Sequence, residues 1–122
     1  MSNVNETLKS ALEIDGSIAA LLVDHESGMT LGSAGGGTLD LEIAAAGNTD
    51  VVRAELRTLQ RLGLADAPED VLVTLGTQFH LIRLLQSRNG QGLFLYLVLD
   101  RSRANLAMAR RQLAVLERNV EL

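Results

Sequence analysis

Cysteine is absent from the 122 residues, which excludes a disulfide framework and every thiolate nucleophile or ligand. Tryptophan is absent too, and two phenylalanines and one tyrosine are the only aromatics. With so few aromatic side chains, and few polar groups pointing into the apparent core, a specific polar-lined ligand pocket is hard to build. Basic residues number 11 against 15 acidic ones, for a net charge of -4 and an isoelectric point near 5.1. Phosphate neutralisation needs a basic face that this balance does not supply, so sequence-independent nucleic-acid binding is not expected. Long apolar runs are missing as well. Ile18–Val23 and Leu93–Leu99 fall far short of the roughly 20 residues of a membrane-spanning helix. The start, MSNVNETLKS, is polar and does not read as a signal peptide. A soluble, cytoplasmic chain with no membrane insertion is expected.

What is present is an orderly alternation of elements. At 47% hydrophobic content, one domain spanning 1–122 can bury roughly two thirds of its unfolded surface. Asn3 or Asn5 can cap a first helix with Leu8, Ala11 and Leu12 on its apolar side, ended by Gly16. Ile18–Val23 has no polar alternation, so both faces of this strand must be covered. Asp24–Gly28 reads as a hairpin turn, and the weaker Met29–Ala34, interrupted by Gly32 and Ser33, suits an edge strand. After the joint Gly35-Gly36-Gly37, Thr38 or Asp40 can cap a long second helix that runs to about Leu62 and stops at Gly63. Three strands follow, over Val71–Leu75, Phe79–Leu85 and Leu93–Leu99, with turns at Gly76-Thr77-Gln78 and Ser87-Arg88-Asn89-Gly90. The last of them is apolar on both faces and belongs beside the first at the sheet centre. Asp100 or Ser102 can cap a closing helix whose stripe is Leu106, Ala109, Leu113, Leu116 and Val120. Helices should cover both faces of the sheet.

The second helix carries more apolar surface than packing on one sheet demands. At 100° per residue, Leu41, Ala45, Val52, Leu56 and Leu59 form one side, which should face the sheet. Beside it lies a mixed strip of Ala44, Asn48, Val51, Glu55 and Leu62, the pattern expected where a second copy packs with specificity. The plainer alternative is a broad core stripe whose polar members reach solvent. A third side carries Glu42, Asp50, Arg53, Arg57 and Arg61, which suits either a docking face or an ordinary solvated one. Val71–Leu75 is a short apolar edge that either pairs with another chain or is covered by a loop of its own.

Chemistry-bearing motifs are sparse. Gly28, Gly32, Gly35, Gly36 and Gly37 lack the Lys-Ser/Thr and the spacing of a nucleotide loop. Asp24, His25 and Glu26 are metal-competent types, but neighbours in one turn diverge. His80, alternating with Ile82 and Leu84, reads as a packed or partner-satisfied core histidine. Arg83 on the opposite face needs a carboxylate or carbonyl partner and suits a subunit border. No nucleophile stands at readable spacing from a base. No catalytic residue, metal or cofactor is therefore assigned, and the order of elements points to an adaptor whose chemistry belongs to a partner.

The element order, together with Ile14-Asp15-Gly16-Ser17-Ile18-Ala19-Ala20-Leu21-Leu22-Val23-Asp24, Ser27-Gly28-Met29-Thr30-Leu31 and Gly92–Asp100, resembles the roadblock/dynein light-chain family over nearly the whole chain. The resemblance implies an α+β, α/β/α-sandwich, profilin-like fold. Its elements run α-β-β-α-β-β-β-α, with a five-stranded antiparallel sheet in the order 2-1-5-4-3. It also implies a homodimer whose third strands pair and whose long helices lie side by side, placing Val71 and Val73 in the interface with Ala44, Asn48, Val51, Glu55 and Leu62. Members of that family are non-enzymatic regulators or scaffolds of Ras-like small GTPases and motor complexes, and bacterial relatives regulate a small GTPase in polarity or signalling. On that reading Arg53, Arg57 and Arg61 are the candidate GTPase contacts. A small-ligand sensor and a purely structural scaffold are the rival classes.

Overall fold

The computed structural model describes residues 2–86 and 90–122, so the turn expected over Ser87-Arg88-Asn89-Gly90 lies mostly outside the described residues. The elements are α1 (Val4–Leu12), β1 (Ser17–Asp24), β2 (Thr30–Gly35), α2 (Leu41–Arg61), β3 (Asp70–Thr74), β4 (Gln78–Leu84), β5 (Leu93–Asp100) and α3 (Leu106–Arg118). The strands form one sheet in the order β2-β1-β5-β4-β3, and every pairing is antiparallel. The two uninterrupted apolar runs therefore sit at the centre, and the glycine-interrupted strand at an edge.

Side-chain alternation divides the core in two. Ala20 and Leu22 of β1 and Leu93, Leu95, Leu97 and Leu99 of β5 pack with Leu8 and Ala11 of α1 and Ala109 and Leu113 of α3. Ala19, Leu21, Val23, Phe94, Tyr96 and Val98 pack on the other face with Ala45 and Val52 of α2. Fully burying a side chain of this size contributes about 1.5–3 kcal/mol, so strands apolar on both faces hold the three layers together. Leu41 and Leu56 join the second cluster as expected, while Leu59 is only half-buried. The place missed on that side is Thr49, which is buried because its hydroxyl donates to Ala45 O, 2.7 Å away.

Two helix starts differ from expectation. Asn105, not Asp100 or Ser102, caps α3, its side chain accepting from Met108 N at 3.1 Å. Asp100 instead folds onto Ser102, accepting from its backbone N at 3.0 Å and its Oγ at 2.8 Å. Asn3 precedes α1 but makes no side-chain cap. It donates its backbone N–H to Glu121 O at 2.9 Å and its side-chain amide to Asn119 O, and its Oδ1 accepts from Glu121 N at 2.6 Å. The segment before α1 and the segment after α3 are thereby fastened to each other.

Gly35 shows why β2 ends where it does. Its φ is +68°, and a Cβ there would stand 2.4 Å from Ile18 O, so any side chain would force β2 away from β1. Gly63, at φ +71° just past the Leu62 C-cap, ends α2.

Candidate functional site

Asp40 starts α2 by accepting from Glu42 N at 3.1 Å and Ile43 N at 3.2 Å, with Glu42 favourably placed in the first turn. The helix then lies over the β1 and β2 side of the sheet. It leaves Val71, Val73 and His80 on the β3–β4 side only partly covered or exposed.

The strip Ala44, Asn48, Val51, Glu55 and Leu62 borders that uncovered area. Ala44 and Val71 are both partly buried against the cluster beneath α2, so helix strip and edge strand share one face of the sheet, with an angle between them. Val51 is 40% exposed and Leu62 66%; Glu55 is exposed and Asn48 half-buried. Val73, Thr74 and Leu75 are exposed, so no loop of the described residues covers this edge. Gly47 lies on the same helix, and a Cβ there would meet nothing within 4 Å. A glycine inside a helix costs about 0.5–1 kcal/mol relative to alanine, and packing within its own chain gives no reason for it.

On the opposite border the three arginines are not equivalent. Arg53 donates from Nε to His25 O at 2.8 Å and from Nη2 to Glu26 O at 2.7 Å, fastening the β1–β2 turn to α2. Within that turn Asp24 Oδ1 accepts from Glu26 N at 2.9 Å and Ser27 N at 3.4 Å. The Glu26 amide in particular holds the Asp24 carboxyl below its ordinary pKa. Arg57 and Arg61 stand exposed on the outward side. Ile43, 70% exposed, lies on the same helix.

Between α2 and β4 runs a polar chain that no motif announced. Gln78 Oε1 lies 2.8 Å from His80 Nε2, and His80 Nδ1 lies 2.8 Å from Tyr96 Oη. The two rings meet edge to face, with centroids 5.6 Å apart. The Asn48 amide lies beside the Tyr96 hydroxyl while donating to Ala44 O at 2.7 Å. Burial holds His80 below its ordinary pKa and pushes Tyr96 up, Asn48 acting in the opposite sense on the tyrosine. His80 is thus partner-satisfied, as its strand position suggested. Signals for this chain existed in the alternation of β4, but the β4–β5 register that joins Tyr96 to His80 is a tertiary fact.

Arg83 faces the other way and finds its carboxylate in α3, Nη2 to Glu117 Oε1 at 3.3 Å. The carboxylate partner that its strand position required is thus supplied from within its own chain. A cleft of about 460 Å³ runs between α1 and α3, lined by Ser10, Glu13, Ile14, Arg111, Gln112, Val115 and Leu116. It lies outside the layers, whereas the space between α2 and the sheet is filled by Val52, Ile82, Phe94 and their neighbours. Among the described residues no group of three or more His, Asp or Glu is placed to hold a metal ion, and no helix is long and apolar enough to cross a membrane.

This architecture matches solved structures closely. The Roadblock/LC7 domain from Streptomyces avermitilis superposes with a TM-score of 0.80 at 16% identity, over 95% of this chain and 92% of that one. Myxococcus xanthus MglB gives 0.73 at 18% identity over 92% and 83%. The gliding protein MglB from Thermus thermophilus gives 0.67 at 21% identity over 93% and 87%. The fold is the roadblock/LC7 fold. No protein-family model matches the sequence, and no curated protein matches it significantly.

Proposed function

We propose that this chain is a non-enzymatic, self-associating adaptor that regulates a Ras-like small GTPase in the cytoplasm. The observation that carries the reading is the unpartnered angle between α2 and β3 on a roadblock/LC7 fold. A second copy seated there would continue the sheet through β3, with Val71 and Val73 on the α2-side face. Its α2 would lie along Ala44, Asn48, Val51, Glu55 and Leu62, and Gly47 would let the two backbones approach. Self-association in this fold has a parallel in the structure described as MglB with tetrameric arrangement, at a TM-score of 0.68 and 20% identity.

Pairing would set two α2 helices side by side, with their outward faces forming one platform. Arg57 and Arg61 supply free positive charge to it, and the turn held by Arg53 supplies a fixed rim. A GTPase whose switch loops fit that platform in one nucleotide state only would be biased toward that state by the difference in affinity. The arginines act there through charge, steering and orienting the partner.

The test is capture on the immobilised chain from native lysate, with a non-hydrolysable GTP analogue and with GDP, followed by titration of the purified partner in both states. Preferential binding of a small GTPase in one state, with altered GTP turnover, supports regulation. State-dependent binding with unchanged turnover reduces the role to a scaffold, and no GTPase binding rejects the reading.

A further inference from the structure

The chain Asn48–Tyr96–His80–Gln78 ends in the angle where the second copy is proposed to sit. Val73 pairs with His80 across β3 and β4, and the two side chains share the α2 face of the sheet. Seating a second copy on Val73 and Asn48 would therefore remove His80 from the water it still touches.

Both ring nitrogens of His80 are matched when the imidazole is neutral. Nε2–H donates to Gln78 Oε1, Nδ1 accepts the Tyr96 hydroxyl proton, and Tyr96 Oη remains free to accept from Asn48. A proton on Nδ1 reverses the contact with Tyr96: the N–H then donates to Oη, and the tyrosine proton must turn away to another acceptor. Among the described residues, nothing charged on the surrounding elements compensates an imidazolium. From β5, Asp100 pairs with Gln78 but is turned onto Ser102. From β3, Asp70 is held by Arg110 at 3.0 Å. On β4 itself, Arg83 faces the other side, bound to Glu117. Arg101 stacks 5.0 Å over Phe79, also on the other side. From α2, Glu55 is seven residues beyond Asn48, about 10 Å along the axis. Val73, Val98, Ile82 and Asn48 complete the surroundings with neutral groups.

We infer that self-association through the α2–β3 angle is proton-linked at His80: the copies join with His80 neutral and separate when it is protonated. The inference rests on the homodimer reading above. Burial of a titrating group at an interface makes association take the pKa further from its solution value, and the copies must release a proton to join.

Sedimentation velocity of the full chain between about pH 7.5 and about pH 5.5 is the test, with far-UV circular dichroism at each pH to show that it remains folded. The dimer dissociation constant should rise about tenfold or more at the acid end, since each unit of pKa displacement gives up to a tenfold change. His80→Gln, which keeps a donor and an acceptor but cannot titrate, should flatten the profile. His25→Gln, outside the proposed seam, should leave it steep. A dimer in the wild type with no pH dependence overturns the linkage and leaves the dimer reading standing; absence of a dimer at any pH overturns both. A slope that survives His80→Gln, or vanishes with His25→Gln, assigns the proton elsewhere and also overturns it. In case His80→Gln does not fold, NMR titration of the His80 ring in the wild type gives the same answer. Its midpoint should fall as protein concentration rises through the dissociation constant, and a midpoint independent of concentration rejects the proposal.

Discussion

Arg83 on β4 meets Glu117 on α3 with Nη2 and Oε1 3.3 Å apart, and their side chains are only 15% and 3% exposed. Glu117 Oε1 also lies 3.4 Å from Gln86 N, so one carboxylate ties sheet, helix and the exit from β4. Removing one member of a buried pair leaves the other charge uncompensated, at a cost of about 3–5 kcal/mol. Glu117→Gln should therefore lower the unfolding free energy, read from urea titrations, by an amount in that range. The double variant Arg83→Met with Glu117→Leu should recover most of it, because neither charge then needs solvation. Equal losses for single and double variants would mean that packing, not charge pairing, is what Glu117 provides.

Self-association makes a separate prediction. Val51→Arg places a charge in the proposed helix seam and should raise the dimer dissociation constant at least about tenfold, with the melting curve of the isolated fold preserved. Gly47→Ala should raise helix stability by about 0.5–1 kcal/mol, whereas Gly47→Leu should block the close approach of a second helix and favour the monomer. Sedimentation at low micromolar concentration reads the association state of all three, and an unchanged mass for Val51→Arg would sink the seam.

The arginines on the other border of α2 should separate in their effects. Arg57→Glu is expected to leave fold and dimer intact and to weaken GTPase binding, most visibly at low salt. Arg53→Ala removes the two bonds to the β1–β2 turn. It should cost about 1–3 kcal/mol and accelerate amide hydrogen exchange across Asp24–Gly28. If Arg53→Ala weakens partner binding with exchange in the turn unchanged, Arg53 acts on the partner directly.

Stability against pH should fall in two acid steps, best measured on a monomeric variant such as Val51→Arg so that folding is read without association. The folded pKa of His80 lies below the ordinary 6.5 because of burial. The unfolded chain therefore takes up the proton first, and stability declines as pH drops below about 6.5 until folded His80 protonates too. Asp24 and Asp100 have folded values below 3.8, chiefly through the Glu26 amide and Ser102. Their contribution is complete above that pH and lost on further acidification. His80→Gln should erase the first step and spare the second in urea titrations across the range.

Much of this architecture could be read from local pattern. β1 and β5 had to be central because neither face of Ile18–Val23 or Leu93–Leu99 carries a charged side chain for solvent. Asp40 and Gly63 mark the ends of α2 by chemistry confined to one helical turn. What stayed hidden depended on distant partners. Asn3 looked like a cap and is a clasp for Asn119 and Glu121; Asp100 looked like a cap and is a turn, with Asn105 taking its role. Arg53 was indistinguishable from Arg57 and Arg61 until the fold brought His25 and Glu26 beneath it. Of the candidate interface, the strip on α2 was legible from helical spacing, but its meeting with Val71 and Val73 depends on how far α2 extends across the sheet.

The clasp made by Asn3 has a practical consequence. Residues 3 and 121 are hydrogen-bonded to one another at the ends of α1 and α3, the helices on the opposite side of the sheet from α2. A fluorophore, affinity handle or surface tether joined near either end should therefore leave the α2 platform clear. Joining residue 2 to residue 122 through a few flexible residues and opening residues 2–122 at a loop should give a permuted domain with the same core.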